Sequence, residues 1–357
     1  MLLAGLLLGV PAPTSEAHTC TPDPEVRVSG RLLVPRESGL ASIELPSRET
    51  RAIPIAPSTG IATGVVASRD GAMLAVPRFW RPPDHKVGGQ DILFVGQGGG
   101  APTSVMQRSQ PGEVLGAPAW LPDGSLVYER RLLAGANESV RIERGRPGDA
   151  TGQVLAEDAS WPGVSPDGSL LALVRFSGRD RLLVRGIDGG EERTLVETPQ
   201  LLSIAFPRFS PDGAWIAFTA ASDPGVGAVD PPLRPAAHAT HGELASLAPA
   251  LGDLSRLASL SAGPLTLRVA RAHGVPWDVW VVRPDGTGLR RVTTFADDDS
   301  AVTWSPDGRW LLTLSAEALH AVAFEGSENY CISSNGGYGS LEWLTRSQES
   351  GARSQEG

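Results

Sequence analysis

The chain has 357 residues and a formal net charge of -9, with 40 Asp and Glu against 31 Lys and Arg. No basic stripe runs along it, which removes the electrostatic footprint that a phosphate backbone requires and excludes nucleic acid as an expected partner. Its 42 Gly and 30 Pro make up about a fifth of the residues, against roughly 12% in average usage, which excludes a helical bundle and favours short elements joined by turns. Hydrophobic residues at 41% supply a large core, and charged residues at 20% argue against disorder.

In chain order, Leu2, Leu3, Leu6, Leu7, Leu8 and Val10 form a short apolar stretch, and Ser15-Glu16-Ala17 has the small-x-small form accepted before a cleavage at His18. Residues 1–17 read as a secretory signal peptide without a positive n-region; the alternative is a buried apolar segment. No later stretch reaches 18 uninterrupted apolar residues, so no transmembrane span is expected after signal removal. Ala17-His18-Thr19-Cys20 is a poor lipid-attachment sequence, because the position three before Cys is not Leu-like.

Five segments then share one pattern: an apolar or aromatic residue, Ser-Pro-Asp-Gly or a close variant, and alternating apolar residues. Their Asp-Gly pairs are Asp70-Gly71, Asp123-Gly124, Asp167-Gly168, Asp212-Gly213 and Asp307-Gly308. Pro presets φ for a tight turn, Asp accepts from backbone amides ahead of it, and Gly takes the positive φ that closes a hairpin. Apolar runs such as Trp215–Phe218 and Trp310–Leu314 follow as buried strands. A second strand–turn–strand pattern follows each of these, clearest over Asp278–Thr293. Two hairpins per unit predict four-stranded antiparallel sheets.

The Asp-Gly pairs are spaced by 53, 44, 45 and 95 residues. A period near 45 with four strands per unit is the signature of a β-propeller blade. The strands expected over Gly30–Pro35 and Gly39–Ile53, with Ser340–Leu344 from the other end, supply one composite blade. The expected fold is therefore all-β: a six-bladed β-propeller over 18–346, with its ring closed by a composite N- and C-terminal blade and a disordered tail over 347–357. Closure of this kind removes exposed sheet edges.

These repeats resemble those of TolB-like periplasmic propellers, also described as PD-type or WD-like repeats, over roughly Gly30–Leu344. The resemblance implies a bacterial, periplasmic or secreted binding or scaffold module that recognises a protein or cell-envelope partner, most simply as a monomer. Related blades also precede the catalytic domain of prolyl-oligopeptidase-type peptidases, and fold alone does not fix activity. There is no Gly-x-Ser-x-Gly elbow, and too little chain follows the repeats for a hydrolase domain. The competing class is a channel-centred hydrolase or lyase using a bound divalent cation, for which Asp91, His85 and His320 are scattered candidates.

The 95-residue interval localises an insertion to residues 223–276 within the fourth blade. Leu244, Leu247, Leu251, Leu254 and Leu257 follow steps of three and four, which predicts a partly helical excursion. It either presents the first four of these leucines to a partner or packs on the side of its blade. His238 and His241, three apart, are candidate metal ligands or exposed histidines; His273 lies in the same insertion. Asp297, Asp298 and Asp299 are candidate Ca²⁺ ligands or caps of a turn in the repeat. No cofactor is expected beyond that possible Ca²⁺. Cys20 and Cys331 come near one another on ring closure and either form a disulfide or remain unpaired.

Overall fold

The structure, a computed structural model, describes residues 20–132, 139–176, 178–222, 277–295, 297 and 300–344. The expected signal peptide, the insertion over 223–276 and the tail over 347–357 lie outside the described residues. Every regular element described is a β-strand, and successive strands pair as antiparallel hairpins.

β1 (Gly30–Arg36), β2 (Gly39–Leu45) and β3 (Glu49–Pro54) form the first set. In the second, β4 (Ile61–Ala62) and β5 (Val66–Ala67) both pair with β6 (Met73–Trp80), followed by β7 (Gly89–Gly96) and β8 (Gly99–Met106). The third contains β9 (Glu113–Trp120), β10 (Leu126–Leu132), β11 (Ser139–Gly145) and β12 (Gln153–Glu157). A single parallel register pair, Gln90 opposite Val114, merges these two sets into one nine-stranded sheet.

Three further four-stranded sheets follow. They are β13 (Ala159–Val164), β14 (Leu170–Phe176), β15 (Asp180–Gly186) and β16 (Gly189–Val196); β17 (Leu201–Phe209), β18 (Ile216–Ser222), β19 (Trp277–Val282) and β20 (Arg290–Arg291); and β21 (Ala301–Trp304), β22 (Trp310–Leu314), β23 (Leu319–Ala323) and β24 (Asn329–Ser333). β25 (Glu342–Leu344) pairs with β1, Trp343 opposite Leu32, so the two ends of the described chain share the sheet β25-β1-β2-β3.

One turn recurs between the first and second strands of these sets. Ser165 Oγ donates to Asp167 Oδ1 at 2.6 Å and accepts from Leu170 N at 2.8 Å, while Ser169 N donates to Asp167 Oδ1 at 3.0 Å. The same bonds form at Ser68 and Asp70, Ser210 and Asp212, and Ser305 and Asp307. Where Leu121 replaces the serine, Ser125 behind the glycine supplies the hydroxyl, 2.6 Å from Asp123 Oδ1. These bonds, led by the serine hydroxyl, favour the ionised carboxylate and hold Asp123 and Asp167 at pKa values of about 2. Asp70 and Asp212 are lowered for the same reason.

Consecutive turns touch. Gly168 has φ +77°, and a Cβ built on it would lie 2.7 Å from Pro122 Cδ of the preceding turn. Looser copies of that contact join Gly213 to Pro166 and Gly308 to Pro211, both at 3.7 Å.

The core lies between the sets. Leu74, Val76 and Leu93 pack with Leu33, Leu40 and Ile53 of the first sheet. Phe94 and Met106 pack with Leu115, Leu126 and Tyr128, and Val127 and Ile142 with Leu171 and Leu173. Val174 and Leu182 pack with Ile216 and Phe218, and Val279 and Val281 with Val302 and Leu311. Leu312, Leu314 and Leu319 return to Leu32, Val34 and Ile43. Both faces of each central strand are buried, which is why these strands read as apolar runs rather than as alternation.

The last boundary carries a covalent tie. Cys20 and Cys331 form a disulfide, with Cα atoms 5.8 Å apart. Asp23 N donates to Cys331 O at 3.0 Å, and Cys331 N donates to Asp23 Oδ2 at 2.6 Å. These contacts fix residues 20–23 along β24, the outermost strand of its sheet.

Candidate functional site

The first strands β5, β9, β13, β17, β21 and β25 contact one another in that order, and β25 contacts β5 again, closing the cycle. Three of them carry the same irregularity. Ala117-Pro118, Trp161-Pro162 and Phe206-Pro207 each place two residues opposite one on the second strand, at Tyr128, Leu173 and Phe218 respectively. Proline at the second bulge position has no N–H to lose from the ladder. The first position takes the strain: Ala117, Trp161 and Phe206 have φ of 46°, 53° and 52°. Left-handed backbone at non-glycine residues persists only where surrounding structure enforces it, and it concentrates at binding sites.

The bulges bring side chains together. The rings of Trp161 and Phe206 are tilted against each other at 4.4 Å, both half-buried, and they cover Ala205, Ala221 and the buried Trp277. Carboxylates from a preceding sheet hold the backbone of the next first strand. Trp161 N donates to Glu129 Oε2 at 3.0 Å, Ile204 N to Asp180 Oδ2 at 3.0 Å, and Ala67 N to Glu342 Oε2 at 3.1 Å.

Two ionisable groups share one level of the ring. Arg208 on β17, Thr303 on β21 and Glu342 on β25 pair with Ala217, Leu312 and Leu33, equivalent positions of their second strands. Val66, Ala119 and Gly163 complete the level, so it holds one cation and one carboxylate. Both side chains are half-buried. Burial pulls the Arg208 guanidinium below its ordinary value, with Glu342 opposing, and burial pushes the Glu342 carboxyl up against its amide contacts. The Glu342 carboxylate accepts from Ala67 N and Trp343 N, whereas Arg208 donates no hydrogen bond and forms no ion pair with the described residues.

The residues singled out in the sequence take other places. Asp91 accepts from Trp80 Nε1 at 2.7 Å and Arg108 Nη1 at 2.9 Å, and Arg108 lies over the Trp80 ring. His320 is buried on β23 with its ring 4.5 Å from Phe295, and His85 is exposed in the β6–β7 loop. Asp91 and His320 thus stand on the third strands of different sheets. Asp297 is buried and its carbonyl accepts from Trp277 N at 2.8 Å, a bridge that closes the return of the chain into β19. Asp298, Asp299, His238, His241, His273, Leu244, Leu247, Leu251 and Leu254 lie outside the described residues. Among the described residues no group of three or more His, Cys, Asp or Glu is placed to hold a metal ion. Among the described residues no helix is long and apolar enough to cross a membrane.

Neither the Trp161–Phe206 pair nor Arg208 and Glu342 stood out in the sequence. One signal was available: Pro118, Pro162 and Pro207 each stand four residues before the turn proline.

The architecture is similar to that of solved TolB structures. A TolB-designated protein from Agrobacterium tumefaciens superposes with a TM-score of 0.52 at 15% identity, covering 89% of this chain and 100% of that one. TolB from Acinetobacter baumannii superposes with a TM-score of 0.56 at 14% identity, covering 88% of this chain and 66% of that one. No family model matches the sequence, and no curated protein matches it. The fold is a TolB-like β-propeller.

Proposed function

We propose that the chain is a six-bladed propeller acting as a binding or scaffold module in an oxidising compartment outside the cytoplasm, where it recognises a protein or cell-envelope partner. The blade count rests on the cycle of first strands and on one apolar cluster at each boundary between neighbours. The compartment rests on the Cys20–Cys331 bridge, a bond that persists in oxidising surroundings.

The observation that carries the binding reading is the Trp161–Phe206 pair. Two large rings are held half-exposed on left-handed backbone, at a bulge position that Ala117 occupies in the third copy. Rigid aromatic anchors with locked backbone are what protein interfaces use as hot spots, because little side-chain entropy is lost on docking. Phe206 and Trp277 belong to the blade that carries residues 223–276, and Ser222 and Trp277 mark where that segment leaves and returns. The recognition face is therefore assigned to the end of the ring that these residues share.

The test is capture from envelope extract with the full chain, with Trp161→Ala, and with a chain lacking 225–275. A partner retained by the full chain and lost from Trp161→Ala supports the reading. Identical partners for the full chain and Trp161→Ala refute it, and identical partners for the shortened chain refute a role for the insertion.

A further inference from the structure

We propose that Arg208 anchors an oxyanion site inside the ring of first strands, which holds one small carboxylate or phosphate group. The inference goes beyond the partner-binding reading and does not depend on it.

Three features of the ring support it. First, ring packing itself needs no cation at this level, because the neutral residues Val66, Ala119, Gly163 and Thr303 occupy the equivalent positions. Second, the described residues leave the guanidinium without an acceptor. Glu342 is engaged by Ala67 N and Trp343 N, and the Arg208 carbonyl accepts from Trp304 Nε1 at 2.9 Å. A half-buried guanidinium without a protein acceptor keeps its donor fork free for a ligand. Third, that fork is planar and matches the two oxygens of a carboxylate or phosphate in a bidentate pair, which a point charge such as Lys cannot do.

The surroundings also bear on the charge of the ligand. Glu342 on the same level disfavours a second negative charge beside the first. The chain's net charge of -9 provides no general attraction for anions, so binding here reports the local cation.

The experiment titrates the full chain with inorganic phosphate and, separately, with sodium acetate, at ionic strength matched with sodium chloride, by calorimetry and thermal unfolding. The expected result is saturable one-to-one binding of at least one of the two, with a melting temperature that rises by mass action. Arg208→Met should weaken that binding by about tenfold or more, the loss of a charge-assisted pair, and should unfold at a temperature insensitive to the anion. Arg208→Lys keeps the charge and loses the fork; it should bind more weakly than the parent, which keeps the test open if the methionine variant does not fold. Absence of saturable binding by the parent chain overturns the proposal, as does anion dependence unchanged in Arg208→Lys and, where it folds, in Arg208→Met. No partner protein is present, so neither outcome bears on the partner-binding reading.

Discussion

The indole N–H of Trp304 crosses the boundary between two sheets to the main-chain carbonyl of Arg208, 2.9 Å away. Trp120 does the same to the carbonyl of Val66 at 3.3 Å. Tryptophan just before the turn is thus a strut between neighbours, with its ring in the core and its N–H tying the preceding first strand. Trp304→Phe keeps most of the ring and loses the bond, so denaturant unfolding should show a loss of about 1 kcal/mol. Trp120→Phe, with the longer bond, should lose less.

The turn glycines separate backbone strain from packing. Gly124 and Gly168 have φ of +78° and +77°, but a Cβ on Gly124 meets nothing within 4 Å while one on Gly168 meets Pro122 Cδ at 2.7 Å. Both alanine variants should lose roughly 1–2 kcal/mol from left-handed backbone. Gly168→Ala should lose more, and the difference measured in parallel unfolding curves is the contact between consecutive turns. Equal losses would show that the turns do not bear on one another.

The turn carboxylates give a pH dependence of definite sign. Asp123 and Asp167 lie at about 2 against an ordinary 3.8, because serine hydroxyls and backbone amides favour the charged form. Folded values below unfolded ones mean that the stabilisation is complete above the ordinary carboxylate value and is lost as pH falls toward 2. Melting temperature should therefore drop over that interval, and Asp167→Asn should flatten the drop.

Arg130 is buried with Nη1 2.9 Å from Glu113 and Nε 2.9 Å from Glu143, which also accepts from Tyr128 at 2.6 Å. Burial, followed by the Glu143 bond, pushes the Tyr128 hydroxyl well above its ordinary value. Arg130→Met removes the cation that two buried carboxylates share, leaving Glu143 with Arg141 and Tyr128 but Glu113 without a charged partner among the described residues, and should cost about 3 kcal/mol. Adding Glu113→Gln and Glu143→Gln should recover part of that loss in chemical denaturation.

The Cys20–Cys331 bridge joins residues 311 apart in sequence. Cys331→Ala should lower stability by about 2–4 kcal/mol. Reducing agent should produce the same fall in the parent chain and none in the variant.

The repeats made much of this fold legible. Ser-Pro-Asp-Gly acts within five residues, through Ser165 and Asp167 on their own amides, so its meaning survives without tertiary context. The all-β class, the four-stranded antiparallel sheets and the TolB-like likeness follow from that local chemistry and its period. The candidate site was not legible in the same way. Trp161 and Phe206 are 45 positions apart in sequence, and each alone reads as a core aromatic; only the bulges on adjacent first strands make them a pair.

By itself the sequence determined where the chain turns, because proline, aspartate and glycine restrict φ and ψ and satisfy the backbone over a few residues. Tertiary structure decided which side chains meet at the ring. Arg208 and Glu342 lie on strands with a whole sheet between them in chain order, and their shared level depends on the register of each strand against its neighbour. A shift of one residue in either register would turn that side chain to the other face. Packing across the boundaries between sheets holds those registers.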